Sequence, residues 1–145
     1  NSWAIGPGSY WHISYMIYTD PESSEYKVKF YVDMRTGRSP VREYLRALSG
    51  KEQTKIAKYI EFLRMHEGIL DEPLAKHIKG KIRELRVDFA SNRHRIFYFT
   101  FVEKNIIILH AFLKKTAKTP PREIKRAEVR YTDVLNNKKY YESKK

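Results

Sequence analysis

Three strand-like apolar runs, Ile82–Phe89, Arg93–Phe101 and Ile106–Leu113, follow one another within 32 residues. The links between them, Ala90-Ser91-Asn92 and Glu103-Lys104-Asn105, are too short for a crossover, so the runs must pair as an antiparallel meander. Every other segment has to pack against that sheet.

Upstream, Lys27-Val28-Lys29-Phe30-Tyr31-Val32-Asp33 alternates with period two and predicts a further strand with one buried face, followed by a turn at Arg35-Thr36-Gly37-Arg38. Ser39 stands where an N-cap belongs, with Pro40 at the first position of a short helix running to Leu48. Ser49-Gly50-Lys51-Glu52 has capping-box spacing, and Ile56, Tyr59, Ile60 and Leu63 then form the stripe of an amphipathic helix ending near Gly68. Thr119-Pro120-Pro121 opens a last helix, with Ile124, Ala127, Tyr131, Val134 and Leu135 on its inner face. The lysine-rich end, Lys138 to Lys145, reads as a frayed basic tail.

The expected class is α+β, in the order β-α-α-β-β-β-α. A small antiparallel sheet packs against two N-terminal helices and one C-terminal helix. A length of 145 residues suits one domain, placed at 26–137. Residues 1–25 are set apart as an arm, native or added: they crowd Trp3, Tyr10, Trp11, Tyr15 and Tyr18 around the turn Gly6-Pro7-Gly8-Ser9. Residues 138–145 form the basic C-terminal tail.

Charge then narrows the partners. Residues 1–25 carry three acids and no Lys or Arg, whereas residues 76–145 carry 19 basic side chains against 7 acidic ones. The whole net charge of +12 therefore resides in the second half of the chain, which favours a polyanion as partner. The absence of cysteine excludes disulfides, zinc ribbons and thiol nucleophiles. No apolar run approaches the roughly 18 residues of a membrane span, and no secretory signal is visible, so a cytoplasmic protein is expected.

On the meander, Leu85, Val87 and Phe89 share one face, which puts Glu84, Arg86 and Asp88 on the other. A charge at Arg86, between two apolar residues, is expensive unless that face is open or Glu84 or Asp88 pairs with it. Arg95 begins the next strand, Lys114 and Lys115 end the third, and Lys118 lies just beyond. Lys76, Lys79 and Lys81 load the approach to the sheet, and Arg93 adds to it. Arg and Lys grouped on adjacent strands predict a phosphate-binding surface. His110, inside an apolar run, fits a hydrogen-bonded structural histidine better than a catalytic one. His77 and His94 are not spaced with acids as a metal site requires, so neither metal nor other cofactor is expected.

There is no Gly-rich phosphate loop, nucleophile elbow or close carboxylate pair. The expected chemistry is therefore one the substrate largely performs itself. RNA is such a substrate, because its 2′-hydroxyl can attack the neighbouring phosphate once the protein aligns the chain and neutralises charge.

These residues carry a resemblance. Asp33-Met34-Arg35-Thr36-Gly37-Arg38-Ser39-Pro40-Val41, Lys79-Gly80-Lys81-Ile82-Arg83-Glu84-Leu85-Arg86 and Arg93-His94-Arg95-Ile96-Phe97-Tyr98 occur in family order. Leu109-His110-Ala111-Phe112-Leu113-Lys114-Lys115-Thr116-Ala117-Lys118-Thr119-Pro120 and Arg122-Glu123-Ile124 with Ala127 complete the series. Together they resemble the phage-derived, HigB-like branch of the RelE/ParE toxin superfamily. The resemblance implies a RelE-like fold and the toxin half of a type II toxin–antitoxin pair. It also implies metal-independent, ribosome-dependent cleavage of mRNA, which inhibits translation.

By the same resemblance the catalytic positions fall on Arg86, Arg95, Lys115 and the adjoining Lys114, with Glu84 or His110 as proton carrier. Lys76, Lys79, Lys81, Arg93 and Lys118 would bind RNA. The implied partners are a cognate antitoxin of helix-turn-helix type, the ribosome and mRNA; operator DNA would be bound only through the antitoxin complex, and no membrane is involved. Several relatives place a Tyr or His near the end of the last strand, where this chain reads Lys-Lys-Thr-Ala-Lys. The alternatives are a ParE-like inhibitor of DNA gyrase and a basic RNA- or ribosome-binding module without catalysis.

Overall fold

The computed structural model describes residues 24–101 and 104–142. The arm expected at residues 1–25 lies, but for Ser24 and Glu25, outside the described residues. The elements run β1 (Lys27–Phe30), α1 (Pro40–Arg46), α2 (Gly50–Met65), β2 (Ala75–Lys79), β3 (Ile82–Phe89), β4 (Asn92–Phe101), β5 (Asn105–Leu113), α3 (Pro121–Asn136) and α4 (Lys138–Glu142). The class is α+β, with five strands and four helices among the described residues.

One sheet holds all five strands in the order β1-β5-β4-β3-β2. The meander β3–β4–β5 is antiparallel throughout. The fully antiparallel sheet expected from the short links needs correction, because β1 pairs with β5 in parallel, Val28 beside Ile106 and Phe30 beside Ile108. Its partner lies far along the chain, and no local link dictates the direction of that pairing.

A second correction is β2, an extra strand where only a basic approach was expected. It pairs antiparallel with β3, and the register slips between His77 and Lys79. That irregularity leaves Ala75 as its one buried residue, so no alternation shows in the sequence. The third correction is at the C-terminus, where Lys138–Glu142 is helical and not frayed. Tyr141 is buried, its hydroxyl accepts from the Val32 N–H at 2.9 Å, and Lys29 Nζ donates to its carbonyl at 2.8 Å.

The sheet is covered on both faces. One core joins α1 and α2 to the sheet through Val41, Leu45, Ile56, Ile60, Leu63, Leu85, Val87, Ile96 and Ile108. The other lies under α3 and α4 and contains Phe97, Phe99, Phe101, Ile107, Leu109, Phe112, Ala127, Val134 and Tyr141. Of the expected stripe of α2, Ile56, Ile60 and Leu63 are buried, and Tyr59 packs half-buried against the same core. Buried Arg64 pairs with Glu61 at 2.7 Å and donates to the Ser24 and Tyr26 carbonyls, tying α2 to the chain entering β1. Ser39 is the N-cap residue of α1 but its hydroxyl makes no cap and has no partner; the Pro40 first position supplies the helix start instead.

At the head of α2 the capping box forms. Ser49 Oγ accepts from the Glu52 N–H at 3.2 Å and donates to Glu52 Oε1 at 3.0 Å, and the Ser49 backbone also holds the carboxylate. Glu52 Oε2 reaches the sheet as well, accepting from Asn92 at 2.9 Å and lying 2.8 Å from His94 Nε2. The Tyr44 hydroxyl meets His94 Nδ1 at 2.7 Å, so one buried imidazole links α1, α2 and β4.

Candidate active site

Two local features place the candidate side chains. Ala90-Ser91 closes the β3–β4 hairpin in two residues, with Ala90 at φ 52°, and fixes the register so that Phe89 meets Asn92. Counting back along both strands, Asp88 meets Arg93, Arg86 meets Arg95 and Glu84 meets Phe97. These side chains share the face that also carries α3 further along the sheet. The other feature lies between β4 and β5, where the register shifts: Phe97 pairs with His110 but Tyr98 with Ile108, leaving Leu109 as the extra residue. The bulge allows both Leu109 and His110 to face α3, and it brings Phe112 onto the same side as Arg95.

Arg86 and Arg95 are the centre of the cluster. Two guanidiniums directly opposite one another repel, and each is held by its own carboxylate. Arg86 Nε donates to Glu84 Oε1 at 3.1 Å, and Arg95 Nη1 donates to Asp88 Oδ1 at 2.8 Å and to the His94 carbonyl at 3.0 Å. Glu84 is fully buried, and its other oxygen, Oε2, has no partner. Arg95 is 7% exposed at its side chain, and its Nε is also unpartnered. Among the described residues three buried side-chain polar atoms lack a partner, and two of them, Glu84 Oε2 and Arg95 Nε, lie in this one cluster.

Two more cations join them. Lys76 on β2 is the register partner of Glu84. Lys114, whose N–H donates to the Arg93 carbonyl at 2.8 Å, leaves β5 beside the cluster. Burial lowers the Lys114 pKa below the ordinary value of 10.5, and Arg95, Arg86 and Lys76 lower it further while Glu84 opposes them. Arg86, Arg95, Lys114, Lys76 and Arg93 thus surround two carboxylates, leaving an excess of positive charge on one patch of sheet. Its charge suits a phosphate diester, since a guanidinium presents paired donors to anionic oxygens.

The remaining expected residues lie elsewhere. Lys79 pairs with Glu128 of α3 at 2.8 Å, and Lys81 is exposed at the β2–β3 turn. Lys115 and Lys118 are exposed in the loop after β5. His110 is under α3: Nε2 lies 2.6 Å from Glu123 Oε1, and Nδ1 lies 3.1 Å from Arg130 Nη1. Because Arg130 can only donate, Nδ1 accepts and Nε2 carries the proton. Burial keeps the His110 pKa below its ordinary 6.5 despite Glu123, so both ring nitrogens of a neutral imidazole are in use. Asp88 holds Arg95, a role that strand alternation alone does not assign, since alternation places Asp88 only beside Arg86. The hairpin register is the signal that assigns it.

Among the described residues no three His, Asp or Glu side chains gather as a metal ion would require. No helix among them is long and apolar enough to cross a membrane.

A comparison with curated proteins returned no match. A comparison with protein families matched residues 43–132, from α1 through most of α3, to the family described as Phage derived protein Gp49-like (DUF891). The match spans more than half of the chain and contains Glu84, Arg86, Arg95 and Lys114. The protein belongs to the phage-derived Gp49-like family, a toxin-like family related to RelE and HigB.

Proposed function

We propose that the chain is the toxin of a type II toxin–antitoxin pair and that it cleaves mRNA on the ribosome by 2′-hydroxyl attack. The observation that carries this reading is the Arg86–Arg95 pair, two opposed guanidiniums beside Lys114, with the Arg86 side chain 24% exposed. Such a pair is unfavourable for the sheet and favourable for an anion, above all for a phosphorane carrying more negative charge than the diester it forms from.

In the reaction the 2′-oxygen bonds to phosphorus as the bond to the 5′-oxygen breaks. The products are a 2′,3′-cyclic phosphate and a 5′-hydroxyl. Arg86 and Arg95 hold the non-bridging oxygens and stabilise the charge that grows on them. Lys114, its pKa lowered, takes the 2′-hydroxyl proton in its neutral form and returns a proton to the departing 5′-oxygen, and exposed Lys115 neutralises the leaving side. Glu84 is too deep to meet RNA and acts as a positioning residue for Arg86. His110 anchors α3 and takes no part in proton transfer. Arg93, Lys76, Lys81 and Lys118 extend the path for the RNA strand, with Lys79 at its margin.

The toxin-like family supports an antitoxin as partner. An acidic, helix-turn-helix antitoxin covers the cationic face, and operator DNA is bound through that complex. The site of action is the cytoplasm, where translating ribosomes are.

Cleavage of a defined mRNA, mapped by primer extension with and without translating ribosomes, tests the reading. Wild type is expected to cut at codon positions only when ribosomes are present, and Arg86→Ala to cut at none. A folded wild-type protein that arrests growth and leaves every mRNA intact overturns it.

A further inference from the structure

A second cationic surface lies outside the cluster, on the solvent face of α3. Arg122, Lys125, Arg126 and Val129 occupy i, i+3, i+4 and i+7 and are all exposed. The only acid in that first turn, Glu123, is committed to His110 at 2.6 Å and touches Arg122 only at 3.7 Å. Among the described residues Lys125 and Arg126 have no carboxylate partner, and neither do Lys115 and Lys118 in the loop leading into the helix.

The strip is set against the helix that bears it. Arg122 repels Lys125 and Arg126 at helical neighbour spacing, and Arg122 sits in the first turn of α3, where the backbone dipole favours anions. Nothing in the packing asks for them, since their side chains point to solvent while Ile124, Ala127 and Tyr131 make the core contacts. The strip follows directly on the loop that carries Lys115 and Lys118, at the start of the helix whose inner face covers β5 through Glu123 and His110.

We propose that Arg122, Lys125 and Arg126 form a docking track for the phosphate backbone of structured RNA, separate from the cluster that holds the scissile phosphate. This inference rests on the reading of the chain as an RNA-acting protein. Arg122 and Arg126 stand one helical turn apart, about 6 Å, a spacing comparable to that of successive phosphates along a strand. Val129 is the one exposed apolar residue in the strip, whereas the centre of a protein–protein interface is apolar and aromatic. Charge complementarity to a polyanion therefore selects RNA over an acidic protein.

The test is equilibrium binding of the full chain to a labelled RNA hairpin and to purified ribosomes, between about 50 and 200 mM salt. Arg122→Gln, Lys125→Gln and Arg126→Gln are combined in one variant. A control variant removes three cations from the α1–α2 side, with Arg46→Gln, Lys51→Gln and Lys58→Gln. The strip variant is expected to bind about tenfold or more weakly, with a log–log salt slope flatter by roughly 2 to 3. Its thermal midpoint is expected to equal or exceed wild type, because the removed charges oppose the helix. The control is expected to bind nearly as wild type does.

Equal losses in the two variants overturn the proposal, since bulk charge then accounts for binding. Unchanged RNA binding with lost retention on a polyglutamate matrix also overturns it, in favour of an acidic protein partner. The readout is independent of cleavage: a strip variant that loses binding supports the track even where wild type cuts no mRNA, an outcome that removes only the proposed activity.

Discussion

Arg86 and Arg95 are register partners across β3 and β4, like charges face to face in mid-sheet, each tied to a different carboxylate, Glu84 for one and Asp88 for the other. The pairing is a liability for folding and an asset for binding an anion, which is the pattern expected where stability is given up for function.

Arg95→Ala should separate those two effects. Cleavage is expected to fall by about 100- to 1,000-fold, while stability to urea falls by only about 1 to 2 kcal/mol: the His94 carbonyl loses a buried donor, but exposed Asp88 remains solvated. Arg95→Lys should restore little, since a point charge does not replace a planar fork. A variant that unfolds, or that keeps full activity, contradicts the assignment.

Glu84→Gln should be the more damaging change to the fold. It removes the fully buried carboxylate from among Lys76, Arg86, Arg95 and Lys114. Breaking a buried ion pair from one side costs about 3 kcal/mol, and urea denaturation should show a loss of that order. The pH–rate profile of whatever activity survives should shift to lower pH, because Glu84 is the neighbour that holds the Lys114 pKa up.

The Glu52 network predicts acid sensitivity. Hydrogen bonds from Asn92, then His94, hold the Glu52 carboxyl at about 2, against an ordinary value of 4.5. A depressed carboxylate pKa contributes stability that is complete above the unfolded value and is lost as pH falls toward the folded one. Stability should therefore decline between pH 4.5 and 2. Glu52→Gln should flatten that decline and cost about 2 kcal/mol at neutral pH, as read from urea titrations at several pH values.

His110 gives a second, separate titration. Its pKa is lowered by burial, so the folded state prefers the neutral ring; stability should be full above pH 6.5 and fall as pH drops below it. His110→Gln should remove this dependence and lower stability, leaving the pH dependence of cleavage as in wild type. A shifted pH–rate profile in that variant returns His110 to the catalytic residues.

Tyr141→Ala tests the C-terminal helix. The side chain is 1% exposed and closes the edge at β1 through the Val32 backbone. Its loss should cost about 3 to 5 kcal/mol, measured by thermal or urea unfolding, whereas a frayed tail tolerates the change.

The three meander strands and the two long helices were legible because their apolar residues recur with the period of the structure they form. Ile82–Phe89 was read to the residue, and β4 and β5 each begin one residue earlier than expected. The short α4 was not legible: Lys138–Glu142 carries one buried residue, and Tyr141 is held by the segment just after β1, at Val32, more than a hundred residues away.

For the site, the sequence by itself determined that Arg86 and Arg95 lie on adjacent strands, that Glu84 and Asp88 share the Arg86 face, and that Lys114 follows the last strand. Alternation and link length are local, and a strand cannot change them. The two-residue turn at Ala90-Ser91, also local, sets Arg86 against Arg95. What only the tertiary structure decided is burial and the long-range contacts: the extra residue at Leu109 turned His110 toward Glu123 and Arg130, and Glu84 and Arg95 were closed off from water. These depend on neighbours that the chain supplies from far away, and no periodicity within a single strand records them.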